Sequence, residues 1–272
     1  MAVDLAIVIV SYNARPELER CLHSLHDAAP ALSHQIVVVD NGSTDGSPAA
    51  VRERWPAVNV LENGENIGFA GATNVGISAS QSELVLLLNP DTIVPPGAID
   101  RLVADLRAHP EAAICGPRLV DGDLRPEISF GKMITPLREV RQKLLVRLYE
   151  WRVPPIVSLV ERRVRQAHNP DWVSGACLLA RRADLDEVGL LDERFFLYTE
   201  DVDLCASVRG RGRLVRFAPA AEVLHLRGRS VRRDRAAAER AYLRSRMAFY
   251  AKHHPRWAGW LRAYLRVTGR LR

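Results

Sequence analysis

Five side chains stand where a chain of this kind can do chemistry: Asp40, Asp91, the neighbours Glu200 and Asp201, and His225. Asp40 follows the apolar run Ile36–Val39, which holds its carboxylate at the mouth of a buried strand. There it can accept a hydrogen bond from the N3–H of uracil or thymine. The residues after it, Asn41-Gly42-Ser43-Thr44-Asp45-Gly46, are turn formers, so an Asx-turn or helix cap explains the same acid. Asp91 ends the segment VLLLNPD, where Pro90 stiffens the turn that aims it. A hard cation such as Mg²⁺ or Mn²⁺ takes oxygen ligands, often only one or two from protein while a diphosphate supplies others. Capping the next helix is the alternative for Asp91. Glu200 and Asp201 lie in FLYTEDVDL, among aromatic and aliphatic neighbours. Crowding and desolvation raise the pKa of such a carboxyl, which suits a general base. With Thr199 as N-cap, the helix dipole also accounts for acids in that first turn. His225 closes an apolar stretch and is either a second metal ligand or a strand-end histidine.

These groups need a scaffold that gathers them. Strand-like runs (Leu5–Val10, Gln35–Val39, Val58–Leu61, Glu83–Leu88, Ala112–Val120) alternate with helical patterns, among them Leu18-Cys21-Leu22-Leu25 and Ile99-Leu102-Val103-Leu106. Ala70–Ser80 is predicted helical as well. That alternation implies an α/β fold with a Rossmann-like, mostly parallel central sheet and helices on both faces. Ligands on such sheets bind at the carboxyl ends of the strands, where Asn13, Asp40 and Asp91 all fall. Residues 121–170 lose the alternation and read as a variable helical insertion. Order resumes with a strand from Trp172 to Ala180, then a helix carrying Val202, Cys205 and Val208, then a strand Leu214–Leu224.

The 272 residues suit one α/β domain (1–230) with a tail (231–272), and 47% hydrophobic content excludes disorder. Four dispersed cysteines without a CxxC pair point to a reducing cytoplasm. The N-terminal LAIVIV run lacks a basic flank and reads as a strand, not a signal peptide. No apolar run is long enough to span a bilayer. The net charge of +6 is uneven: from Arg227 onward 14 Lys/Arg face two acids, so the preceding body is acidic. An acidic body disfavours nucleic acid as the partner of this basic tail. SYNARPE in the first turn, in place of GxGxxG, disfavours a dinucleotide-binding dehydrogenase.

In chain order, VIVSYN, IVVVDNGSTDGS, NIGFAGATNVGI, LVLLLNPD, WVSGACLLARR, FFLYTEDVDLCASVRGRG and HLRGRS resemble the family 2 glycosyltransferases of GT-A fold, especially their bacterial rhamnosyltransferase-like branch. The resemblance covers Val8 to Ser230. It implies an inverting, metal-dependent transferase. Ser11, Tyr12, Asn13, Asp40, Asn41 and Ser43 would form the nucleoside pocket, and Asn66, Gly68, Phe69 and Asn74 a second nucleotide-contacting loop. Asp91 corresponds to the last acid of the family's DxD-type metal motif, whose first acid is here Asn89, placed with the nucleotide-sugar residues. By the same resemblance Asp201 is the catalytic base with Glu200 beside it, and His225 completes the metal site. Trp172, Ser174 and Gly175 fall on the acceptor and sugar side. The cofactor implied is Mg²⁺ or Mn²⁺. The donor expected is dTDP-rhamnose, the alternatives being a UDP-sugar (GlcNAc, galactose, galactofuranose) or a non-catalytic nucleotide-sugar-binding relative. The acceptor is a saccharide or a polyprenyl-linked saccharide of the cell envelope.

The tail interleaves Met247, Phe249, Tyr250, Trp257, Trp260, Leu261, Tyr264 and Leu265 with Arg and Lys, and Pro255 splits it into two helices. Basic amphipathic helices with interfacial aromatics suit an anionic membrane surface, so a cytoplasmic protein peripheral on the inner face of the cell membrane is expected. Packing back onto the domain is the competing reading, and the one favoured for the first helix.

Overall fold

In the computed structural model, which describes residues 3–226 and 235–267, a βα alternation opens the chain. It runs β1 (Val3–Ser11), α1 (Arg15–Asp27), β2 (His34–Asp40), α2 (Ser47–Arg54), β3 (Asn59–Glu62), α3 (Phe69–Ser78) and β4 (Ser82–Leu88). β1 is apolar at nearly every position because both faces are covered. Leu5, Ile7 and Ile9 enter one core with Leu18, Leu22 and Leu25 of α1, while Val8 enters another with Ile77 of α3. The four strands lie parallel in the order β3-β2-β1-β4. The chain therefore turns outward in both directions from β1, and a crevice opens at the strand ends beside it.

The sheet continues with β5 (Thr92–Ile93), α4 (Ala98–Ala108) and β6 (Ala112–Val120). The 121–170 insertion holds β7 (Phe130–Gly131), α5 (Pro136–Glu150) and α6 (Pro154–Arg163), and buries Phe130, Tyr149, Val160 and Val164 in the second core. Then come β8 (Trp172–Val173), β9 (Cys177–Arg181), α7 (Arg182–Val188), α8 (Glu200–Gly210) and β10 (Leu214–His225). The eight strands run β3-β2-β1-β4-β9-β6-β10-β5, with β9 antiparallel to both neighbours. This is the GT-A architecture.

One element differs from expectation. The strand anticipated from Trp172 to Ala180 is two strands: β8 pairs with β7 in a small second sheet, and β9 enters the main sheet. The break falls where backbone donors leave the ladder. Ser174 N–H goes to the Ser129 carbonyl (2.8 Å), and Gly175 N–H goes to Asp201 Oδ2 (2.8 Å).

The tail forms α9 (Arg235–His253) and α10 (Pro255–Val267), divided at Pro255 as expected. Phe249, Tyr250, Leu261 and Leu265 are buried in a third core with Phe195 and Val202. Beside it, the nearly sealed Asp203 of α8 receives Lys252 Nζ at 2.8 Å and His253 Nε2 at 2.6 Å, while Lys252 also reaches Asp192 at 2.9 Å. Breaking one partner of a buried ion pair leaves an uncompensated charge. Lys252→Met should therefore cost about 3 kcal/mol and lower Tm by roughly 5–10 °C in thermal unfolding; an unchanged Tm would show that α9 is not anchored through Asp203. The boundary drawn at 230/231, and Arg227–Ser230 of the HLRGRS segment, lie outside the described residues. Among those described, no helix is long and apolar enough to cross a membrane.

Candidate active site

The strand ends bring together three loops. β1 ends at Ser11, whose side chain is fully buried and forms the floor, while Tyr12 beside it is half-exposed. Asn13 has φ 50° and bridges to the β2 loop: its N–H donates to Ser43 Oγ (2.9 Å), and its Oδ1 accepts from Thr44 N–H (2.8 Å). Asp40 is the last residue of β2 and is buried; its Oδ2 accepts the Ser43 N–H three residues on, at 2.9 Å, so the carboxylate braces its own loop. Asn41 ties this loop to the next, with its amide donating to Asn66 Oδ1 (2.9 Å) and the Gly68 carbonyl (3.2 Å).

The 66–69 loop is clamped from the far side. Phe69 N–H donates to the Phe196 carbonyl at 2.7 Å. Gly68 has φ 87°, and a Cβ there would lie 2.8 Å from the Phe196 carbonyl oxygen. The glycine thus permits a close approach of this loop to the 195–199 segment. Asn74 uses its amide on Leu191 (2.9 Å) and Glu193 (3.0 Å), tying α3 to the same region. In this structure Asn41, Asn66 and Asn74 hold loops together, a role that residue types alone do not distinguish from ligand contact.

From β4 the chain enters Asn89-Pro90-Asp91. Asn89 N–H donates to the Ala176 carbonyl (2.9 Å), which attaches this turn to the 174–176 break, and the residue is half-buried. β5 then pairs with the end of β10, His225 opposite Thr92. That pairing, which no sequence pattern announces, sets buried Asp91 against His225 with Oδ1 and Nε2 3.3 Å apart. Nδ1 of His225 lies 3.2 Å from Oε2 of Glu127, a buried residue of the insertion. Burial works against a charged imidazole, but the hydrogen bonds to Asp91 and Glu127 prevail and push His225 up to about 9. Sequence reasoning missed Glu127, which sits in an irregular segment without a motif.

α8 opens on Glu200. Tyr198 (φ 69°) and Thr199 (φ 73°) precede it, both left-handed, and the Thr199 side chain makes no capping hydrogen bond. Thr199 is the N-cap residue but caps nothing with its hydroxyl. Two such residues in succession are costly and persist only where the surroundings hold them. The Phe196 contacts, Ser245 Oγ on the Leu197 carbonyl (2.8 Å) and Tyr242 against Tyr198 provide that hold. Glu200 is buried and its Oε2 has no hydrogen-bond partner among the described residues; burial, then the Asp201 charge, raises its carboxyl well above the usual range. Asp201 is half-buried and accepts N–H bonds from Gly175 on Oδ2 and from Val202 on Oδ1 (2.8 Å each). Burial raises its pKa, and those two bonds oppose the rise. A Cβ at Gly175 would come within 3.1 Å of Asp201 Cβ, so a side chain there would press on the carboxylate. Ser174 Oγ accepts from Ala176 N–H (3.3 Å), and the Trp172 indole N–H donates to the Lys132 carbonyl (3.0 Å).

Among the described residues, no group of three or more His, Cys, Asp or Glu is arranged to hold a metal ion by itself. Asp91 and His225 nevertheless fit a divalent cation that shares its shell with a substrate diphosphate. They offer one oxygen from the turn before β5 and, once the cation displaces the Nε2 proton, one nitrogen from the end of β10, and Glu127 fixes the ring from behind in the usual carboxylate–histidine manner.

The glycosyl transferase family 2 model matches residues 6–189. The chain is 36% identical to the N-acetylglucosaminyl-diphospho-decaprenol L-rhamnosyltransferase of Mycobacterium tuberculosis, across 97% of this chain and 88% of that protein. It is 26% identical to a low-salt glycan biosynthesis hexosyltransferase of Haloferax volcanii, across 77% of this chain and 62% of that one. Among solved structures it is similar to a mannosyltransferase from Pyrobaculum calidifontis in complex with GDP-Man and Mn²⁺. There the TM-score is 0.64 and the identity 19%, covering 97% of this chain and 69% of the other.

Proposed function

The chain belongs to glycosyl transferase family 2, and on that premise we propose that it moves L-rhamnose from dTDP-rhamnose onto a hydroxyl of a polyprenyl-linked saccharide, with inversion. The observation that carries the chemistry is the carboxylate of Asp201. It is oriented through both oxygens by backbone N–H groups and flanked by Glu200, a carboxyl whose charged form is disfavoured first by burial and then by the Asp201 charge. Asp201 takes the proton of the acceptor hydroxyl as the oxygen attacks the anomeric carbon. With no protein nucleophile in the sequence of events, one displacement inverts that centre. The loops of Tyr12, Asn13, Asp40 and Ser43 hold the nucleoside at the carboxyl ends of β1 and β2. Asp91 and His225 would hold Mg²⁺ or Mn²⁺, which when bound supplies positive charge against the leaving diphosphate.

Rhamnose and the lipid-linked acceptor rest on the likeness to the mycobacterial enzyme, whose name specifies both. The same reading gives α10 a membrane role: Trp257, Trp260 and Tyr264 are exposed beside Arg256, Arg262 and Arg266, on the inner face of the cell membrane. The catalytic unit is 1–230 and the tail 231–272 in this reading, with α9 as the joint between them.

The test is donor binding and slow donor hydrolysis across dTDP-rhamnose, UDP-GlcNAc, UDP-galactose and UDP-galactofuranose, with and without Mn²⁺. dTDP-rhamnose with Mn²⁺ should raise Tm most, by about 5 °C near a hundredfold excess over Kd. Preferential turnover of a UDP-sugar would replace the donor. Failure to bind any nucleotide sugar would end the catalytic reading.

A further inference from the structure

Two apolar stripes lie exposed outside the site. On α5, Leu137, Val140, Leu144 and the C-cap residue Trp151 are each more than half exposed and recur at i, i+3, i+7 and i+14, one face of a helix. On α10, Trp257, Trp260, Tyr264 and Val267 recur at i, i+3, i+7 and i+10 and are also more than half exposed. The helices border one core. Met133 and Ile134, leading into α5, pack with Leu261 and Leu265 of α10 around Phe195. α5 is further bound to α9, since Glu139 receives Arg246 Nε at 3.0 Å and the Tyr250 hydroxyl at 3.1 Å.

Each stripe is bordered by exposed cations: Arg138, Arg141, Lys143 and Arg147 on α5, and Arg256, Arg262 and Arg266 on α10. The Arg147 guanidinium stands 5.5 Å from the Trp151 ring, a cation–aromatic pair of the kind suited to a headgroup layer. A second copy of this chain docking stripe to stripe would bring like charges together, which is unfavourable. An anionic lipid surface neutralises them and takes up the apolar side chains.

We propose that the α5 stripe is a second membrane footing, acting together with α10 on an anionic bilayer. The proposal rests on the reading of α10 as a membrane contact and extends it to the insertion. One interfacial helix leaves a protein free to roll about that helix. A second contact on a different element fixes the rotation, and with it the direction from which a lipid-linked acceptor meets Asp201.

The experiment is co-sedimentation of the full chain with vesicles of equimolar phosphatidylglycerol and phosphatidylcholine, or of phosphatidylcholine alone. Three proteins are compared: wild type, Leu137→Ser/Leu144→Ser/Trp151→Ser in α5, and Trp257→Ala/Trp260→Ala/Tyr264→Ala in α10. Each triple variant should lower partitioning to the anionic vesicles by about tenfold and leave donor hydrolysis in the absence of vesicles unchanged. Wild-type partitioning should fall with added salt and with phosphatidylcholine alone. Normal partitioning of the α5 variant alongside loss in the α10 variant overturns the second footing and leaves the tail contact standing. Normal partitioning of the α10 variant overturns both. If ultracentrifugation shows a dimer that the α5 variant turns into a monomer, with partitioning unchanged, the stripe belongs to a second copy and the proposal fails.

Discussion

Asp201→Asn should reduce sugar transfer roughly 100- to 10,000-fold, the usual contribution of a positioned general base, while donor and metal binding stay within a factor of about three. An amide cannot take the acceptor proton, yet it is close in shape to the carboxylate and can still accept from Gly175 or Val202. Loss of transfer with donor binding intact separates a chemical role from a folding defect. Turnover near wild type would remove Asp201 from the mechanism. The wild-type pH profile offers a second readout. A base works unprotonated, and burial raises the Asp201 pKa against the two N–H bonds. The acid limb should therefore be displaced upward from that of an unperturbed aspartate, and a limb at or below the unperturbed position would contradict the geometry. Glu200 follows the linkage of a raised acid. Its stabilising contribution is present below its unfolded pKa and is lost as pH rises through the folded one, so keeping this carboxyl buried weakens the fold at neutral pH. Stability is given up where chemistry is done.

Asp91→Ala should weaken metal-dependent donor binding by at least about 100-fold, since even outer partners of metal ligands contribute 10- to 100-fold. Glu127→Gln, which changes only the group behind His225, should cost about tenfold. The measurement is nucleotide-sugar binding titrated with Mn²⁺ at fixed pH. If Asp91→Ala binds donor with an unchanged Mn²⁺ requirement, the cation is held elsewhere. If Glu127→Gln behaves as wild type, its contact with His225 has no bearing on the site. Neither substitution touches Asp201, so donor-independent properties such as vesicle partitioning should not move.

The basic tail has two parts that truncation would confuse. α9 carries Ser245, which supports the Leu197 carbonyl, and Lys252, which pairs with Asp203, two residues beyond the candidate base. α10 exposes the aromatic stripe and buries only Leu261 and Leu265. Removing both helices would unseat the 195–199 segment and lose activity for reasons unrelated to lipid. Point changes on the exposed faces distinguish the two.

Much of the scaffold follows from sequence because its signals are local. Continuous apolar runs such as Leu5–Val10 can only be strands covered on both faces, and the helical spacing of Leu18, Leu22 and Leu25 places α1 between two of them. Their alternation dictates a parallel sheet with polar loops at one rim, and the run of seven motifs identifies the family to which the chain belongs. The site's own geometry is not local. His225 meets Asp91 because a two-residue strand pairs with the far end of β10, a contact too short to leave a periodic signature. Glu127 stands behind that histidine although it lies in a segment with no pattern of its own. Asp203, an acid in the first turn of α8, also anchors α9 through Lys252 and His253, a pairing that no local pattern shows. Asn41 and Asn74 show the converse, since an amide suited to a ligand is equally suited to joining two loops. Residue type and periodicity settle which elements form and which acids stand at strand ends. Which side chains face one another is decided by long-range packing, because partners such as Asp91 and His225 are far apart in the chain and no local rule relates them.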